Sequence, residues 1–238
     1  MGDAVGMAAS LDHVVLVTPD LEAGTAALAA LTGVQPVAGG AHPGLGSRNA
    51  LVGLRWRGQR RCYLELLAPD PAQPDVPEDA MMLDLGRALA GVPAASTGTE
   101  ADEASARRAL LGHTWAVRPD DLDAALASAA EVGLDVGTPV AARRMTPSGV
   151  QLSWRLAVPR PLGLGGVQPF LIDWGGGAHP SDAGLPVVDL IELELEHPEP
   201  RRAGEVLRAL GVEVPVRPGP APRLRVVLDT PRGRVRVG

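Results

Sequence analysis

Two histidines and two carboxylates stand at matching places in this chain. His13 lies in Leu11-Asp-His-Val-Val-Leu-Val-Thr-Pro-Asp-Leu21. His113 lies one hundred residues later in Leu111-Gly-His-Thr-Trp-Ala-Val-Arg-Pro-Asp-Asp121. Pro19 and Pro119 keep that offset, as do Gly33 and Gly133. Glu65 falls in Cys62-Tyr-Leu-Glu-Leu-Leu67, and Asp173 in Pro169-Phe-Leu-Ile-Asp-Trp174. A carboxylate among leucines needs a cation, a metal or hydrogen-bond donors. A lone histidine in an apolar strand is ordinarily a hydrogen-bonded core residue. Its recurrence at an equivalent position sets metal ligation against that reading. The chain reads as an internal duplication, with a site where the two copies face each other.

Other residues could serve such a site. Arg48 can bind a substrate carboxylate through two parallel hydrogen bonds, and Asn49 beside it can orient one. The competing reading is a solvated strand end. His42 sits in a glycine-dense stretch, Gly39-Gly-Ala-His-Pro-Gly-Leu-Gly46, which reads as a loop able to rim a pocket. Trp154 and Trp174 are candidates for a pocket wall or for plain core. His179 and His197, beside prolines, read as exposed and without a role. Cys62 reads as a small buried side chain.

The elements that must position these residues repeat. Residues 11–17 are valine-rich and alternate as a strand does. Thr18-Pro-Asp20 supplies a turn and a cap for a helix from Leu21 to Leu31, ended by Gly33. Strands follow at Ser47–Leu54 and Cys62–Leu67, joined by a hairpin at 57–60. The second unit has a strand around His113, a helix at Leu122–Glu131, and strands within Thr146–Leu156 and Pro169–Trp174. A third, incomplete unit has a strand at Leu190–Glu196, a helix at Arg202–Leu210, and strands at Leu224–Leu228 and Arg234–Val237. Glu192 there stands where the complete copies have histidine, so the tail reads as a covering element without ligands. The boundaries are a disordered N-terminus at 1–10, a first unit at 11–69, a connection at 70–110, a second unit at 111–185 and the partial third unit at 186–238. Within the connection, Glu78–Leu89 has helical character, and Ala94–Glu103 reads as mobile.

Composition narrows the function classes. All 22 basic residues are arginine, which removes Schiff-base lysine chemistry and a phosphate-loop lysine. One cysteine excludes an internal disulfide framework and a cysteine-built zinc site. A net charge of −6 argues against nucleic acid as the main partner. No apolar run approaches the ~20 residues that cross a bilayer, and the first ten residues lack signal-peptide character. The default expectation is a cytoplasmic protein.

Two tandem strand–helix–strand–strand–strand units, with histidine on the first strand and an acid on the last, resemble the vicinal oxygen chelate superfamily. Members include glyoxalase I, extradiol dioxygenases, methylmalonyl-CoA epimerase and bleomycin-resistance proteins. The closest resemblance is to its glyoxalase-like branch. It rests on Leu-Asp-His-Val-Val at 11–15, His-Pro-Gly-Leu-Gly-Ser-Arg-Asn-Ala-Leu at 42–51, Tyr-Leu-Glu-Leu-Leu-Ala-Pro-Asp-Pro at 63–71 and Pro-Phe-Leu-Ile-Asp-Trp at 169–174. The resemblance implies an α+β fold: tandem βαβββ units forming a cupped, mixed β-sheet barrel, here followed by a partial βαββ unit. It also implies a divalent metal (Zn, Ni, Mn or Fe) held by His13, Glu65, His113 and Asp173, with Glu65 or Asp173 as proton carrier. Two registers stay open for the last strand. Aligning Tyr63 with Leu171 places Asp173 opposite Glu65, whereas aligning it with Phe170 places Ile172 there. The implied function is a metal-dependent lyase, isomerase or dioxygenase acting on a small oxygenated metabolite, as monomer or homodimer. The alternatives are a metal-free binding or resistance protein using the same cup, and a regulatory module with a vestigial cup.

Overall fold

The computed structural model describes residues 9–90, 92 and 103–238. Residues 1–8 of the expected disordered N-terminus lie outside the described residues, while Ala9 and Ser10 already belong to the first strand. Of the stretch expected to be mobile only Glu103 is described, at the start of a helix.

The first unit runs β1 (Ala9–Val17), α1 (Leu21–Thr32), β2 (Val37–His42), β3 (Ser47–Trp56) and β4 (Gln59–Pro69). Asp20 caps α1 by accepting from the Ala23 amide at 2.7 Å. Gly33 ends it at φ 73°, a conformation that penalises any residue with a Cβ. A connection with two 3-10 turns, α2 (Leu85–Leu89) and α3 (Glu103–Arg108) leads to the second unit. That unit runs β5 (Leu111–Pro119), α4 (Leu122–Glu131), β6 (Pro139–Met145), β7 (Gln151–Ala157) and β8 (Phe170–Asp173). Asp121 repeats the capping role of Asp20 on the Ala124 amide. The tail forms β9 (Val187–His197), α5 (Pro200–Ala209), β10 (Val216–Pro218), β11 (Arg223–Thr230) and β12 (Gly233–Val237). It carries one short strand, β10, beyond those expected.

All twelve described strands join one mixed sheet. Its cup is the run β2-β3-β4-β1-β5-β8-β7-β6, with the two units joined by the antiparallel pair β1 and β5. Arg144 of β6 donates to the Gly39 carbonyl of β2, so the two ends of the run meet. The glycine-dense stretch is therefore partly strand rather than loop. Gly40, at φ 129°, sits where the pairing of β2 with β3 slips, as a β-bulge does. Gly39 leaves no room for a side chain, since a Cβ there would come within 2.2 Å of Asn49 Oδ1.

Strand alternation sorts side chains between the two faces. Val14, Leu16, Leu64, Leu66 and Leu171 pack outward with Leu28, Ala125 and Leu207 of the helices. Val15, Val17, Trp154, Leu156, Phe170 and Ile172 fill the inner face. Full burial of each large member contributes about 1.5–3 kcal/mol. The tail extends the sheet and adds no wall to the cup. β9 pairs with Gly53–Arg55 at the far end of β3, beyond the part that β2 occupies.

Candidate functional site

The interior of the cup is polar at its centre. His13 and Glu65, both 3% exposed, come from neighbouring parallel strands β1 and β4. His13 Nε2 stands 3.5 Å from Glu65 Oε2. Asn49 of β3 donates its amide to the other carboxylate oxygen at 2.6 Å. His13 stacks on Tyr63, with ring centroids 4.6 Å apart and planes 13° from parallel, and meets the edge of Phe170.

Asp12 organises this centre. The pairing of β1 with β5 slips between Leu11 and His13, so Asp12 is the extra residue of a bulge and leaves strict alternation. It is fully buried and accepts from four side chains. His13 Nδ1 lies 2.8 Å from one oxygen; Arg118 Nη1 at 2.8 Å, Trp174 Nε1 at 3.1 Å and His179 Nε2 at 3.2 Å lie against the other. His179 Nδ1 accepts from the Ser181 amide, so its proton sits on Nε2, facing Asp12. Burial alone would raise the Asp12 carboxyl. The hydrogen bonds from His13 and His179 outweigh it and hold the group well below the usual carboxylate range. With Nδ1 committed to Asp12, His13 turns Nε2 toward Glu65.

A cleft of about 1200 Å³ opens beside this centre, walled by His42, Leu45, Ala142, Arg144, Trp154 and Trp174. Trp154 and Trp174 lie 5.4 Å apart, and His42 meets Trp154 edge-on. His42 is buried, with Nδ1 3.0 Å from Ser47 Oγ. Burial pushes it down to about 4, against the opposing pull of Glu65. Burial likewise raises the Tyr63 hydroxyl, and Glu65 and Asp12 raise it further.

The structure does not bring the four implied metal ligands together. The His113 ring nitrogen Nε2 lies 2.6 Å from the Leu83 carbonyl. Asp173 borders the cleft, but its carboxylate turns back onto the Gly175 amide at 2.8 Å. In β8 it is Phe170 and Ile172 that face inward, so Asp173 does not take the inward place that Glu65 takes in β4. Among the described residues no three His, Cys, Asp or Glu side chains converge as a metal site. His13 Nε2 and Glu65 leave two donors where protein metal centres use three or four, so the residues present do not fit the implied group.

Arg48 is also placed differently. It follows Ser47 and precedes Asn49, and neighbours in a strand point to opposite faces. Asn49 enters the cup; Arg48 lies outside, bound to Glu22 of α1 at 2.8 and 2.7 Å. His179 and His197, expected exposed, are buried at 1% and 7%. The sequence reading missed Asp12, Tyr63, Arg118, Arg144 and His179. Asp12 carried a visible signal, a carboxylate among valines beside the histidine. So did His179, which with Asp182 forms a capping box. Arg144 carried none.

A family model for the glyoxalase-like domain matches residues 11–211. The chain belongs to the glyoxalase-like domain family. This places the cup within the vicinal oxygen chelate fold that its repeated units resemble. No curated protein matches the chain. Among solved structures, a hypothetical protein from Staphylococcus aureus is 13% identical, with TM-score 0.55, covering 97% of this chain and 85% of its own. A methylmalonyl-CoA epimerase from Streptomyces coelicolor, in complex with 2-nitronate-propionyl-CoA, is 19% identical with TM-score 0.45, covering 71% and 99%. The epimerase from Mycobacterium tuberculosis is 17% identical with TM-score 0.40, covering 72% and 90%. No helix among the described residues is long and apolar enough to cross a membrane.

Proposed function

We propose that this glyoxalase-like protein transfers a proton on a small oxygenated molecule bound in the cup, with His13 and Glu65 as the acid–base pair. The observation that carries the reading is the approach of His13 Nε2 to Glu65 Oε2 at 3.5 Å inside a buried site. Asp12 holds the opposite imidazole nitrogen. A carboxylate on Nδ1 fixes the tautomer and the orientation of the ring, so His13 can exchange a proton at Nε2. Glu65, fixed by Asn49, is the second carrier. Such a pair suits isomerisation, epimerisation or elimination next to a carbonyl. The reading needs no resident metal.

A second reading, a binding protein without turnover, has its own support. The cleft is walled by His42, Arg144, Trp154 and Trp174, and neither His13 nor Glu65 lines it. One experiment separates the two. The protein is incubated in D2O with 2-oxobutyrate, methylmalonyl thioester and the methylglyoxal–glutathione adduct, and ligand binding and deuterium incorporation are followed together. Incorporation by the wild type that falls about a hundredfold or more in Glu65→Gln supports catalysis. Binding without incorporation refutes the catalytic part and leaves the binding protein.

A further inference from the structure

One buried cation in the cup has no carboxylate in direct contact. Arg144 is 5% exposed and lines the cleft. Its guanidinium donates to the Gly39 carbonyl, and no carboxylate lies within ion-pair distance among the described residues. Asp12 is paired with Arg118, and Glu65, which accepts from Asn49, acts on Arg144 across the cup without touching it. Two other arginines border the cleft, but Arg155 is held by Asp123 at 2.7 Å and Arg143 is exposed. A desolvated guanidinium without a carboxylate in contact is destabilising, and β6 could have carried an apolar residue at this inward position instead.

We infer that Arg144 anchors the carboxylate of a flat, partly apolar acid whose body lies against Trp154 and Trp174. The guanidinium fork matches the two oxygens of a carboxylate. One guanidinium with Glu65 nearby suits a monoanion and would leave most of a phosphate dianion's charge uncompensated. Trp154 and Trp174, 5.4 Å apart and tilted by 45°, give the apolar surface. His42, kept neutral by its burial, adds no second cation. The carboxylate anchor first assigned to Arg48 thus passes to Arg144. The inference rests on the cup being the ligand site, but not on any reaction in it.

The test uses mandelate and its neutral counterpart mandelamide, with dissociation constants measured by calorimetry on the full chain. Mandelate should bind the wild type about tenfold or more tightly than mandelamide, the range a charge-assisted hydrogen bond supplies. Arg144→Gln should bring that ratio to about one, and Arg144→Lys should keep part of it. A ratio near one in the wild type, or a ratio that survives Arg144→Gln, overturns the inference. The wild-type ratio and the lysine variant keep the test decisive where the glutamine variant does not fold. A full ratio with no deuterium incorporation by the wild type would overturn only the catalytic reading.

Discussion

Burial of His42 makes the stability of the fold depend on pH. In the unfolded chain its imidazole titrates near 6.5; in the fold burial holds it at about 4. Between those values the unfolded state binds a proton that the folded state refuses. Stability therefore falls as pH drops from about 6.5 to 4 and is unaffected by this group above that window. The gap corresponds to about 3 kcal/mol in full, of which roughly 2.5 kcal/mol is expressed between pH 7.5 and 4.5. His42→Gln keeps an acceptor for Ser47 and cannot titrate. Urea unfolding followed by tryptophan fluorescence, run on both proteins across that range, isolates the contribution. The wild type should lose roughly 2–3 kcal/mol more than the variant on acidification. Parallel curves, with a difference constant within about 0.5 kcal/mol, would refute the placement of His42 in a dry wall of the cup.

Two further outcomes follow from the same centre. Asp12→Asn removes a buried charge that four donors share and leaves Arg118 unpaired. It should cost about 2–4 kcal/mol at pH 7, less than a fully buried pair because Arg118 is partly exposed. The Asp12 carboxyl is depressed in the fold, so its contribution is present above the ordinary carboxylate range and fades as pH falls below it. The gap between variant and wild type should accordingly shrink below about pH 4, as thermal unfolding against pH will show. Incubation with Zn, Ni, Mn or Fe(II), followed by desalting and elemental analysis, should leave well under one ion per chain, because only two of the four implied ligands converge. A stoichiometric ion that disappears in Glu65→Gln would refute the fit argued for these residues.

Much of the fold was legible because the signals were local and came twice. Asp20 and Asp121 cap their helices, and Gly33 and Gly133 adopt the left-handed conformation at their ends. These positions mark the duplication independently of any packing. β2 was not legible. Two adjacent glycines read as loop, but Gly40 provides a bulge and Gly39 the space that Asn49 needs. That role exists only once β3 lies against β2. The depth of His179 was hidden for a similar reason. The 3-10 turn it caps packs against β4, and the resulting Asp12 contact spans 167 residues.

The site was legible in type and partly misplaced in space, and two of the misplacements come from a period of two. Asp173 and Arg48 are each one residue from a side chain that enters the cup, Trp174 and Asn49. Composition cannot tell which neighbour goes inward, since either choice leaves an acid or a cation near a strand end. Asp12 shows the converse. Alternation places it opposite His13, away from the cup. The slip in pairing with β5 lets both side chains reach the same interior. A carboxylate in that position orients the histidine without occupying the cleft. The bulge therefore does for His13 what a bound cation would do for a metal-ligating histidine: it fixes which nitrogen carries the proton. On the proposed reading, this leaves His13 Nε2 free to exchange a proton beside Glu65.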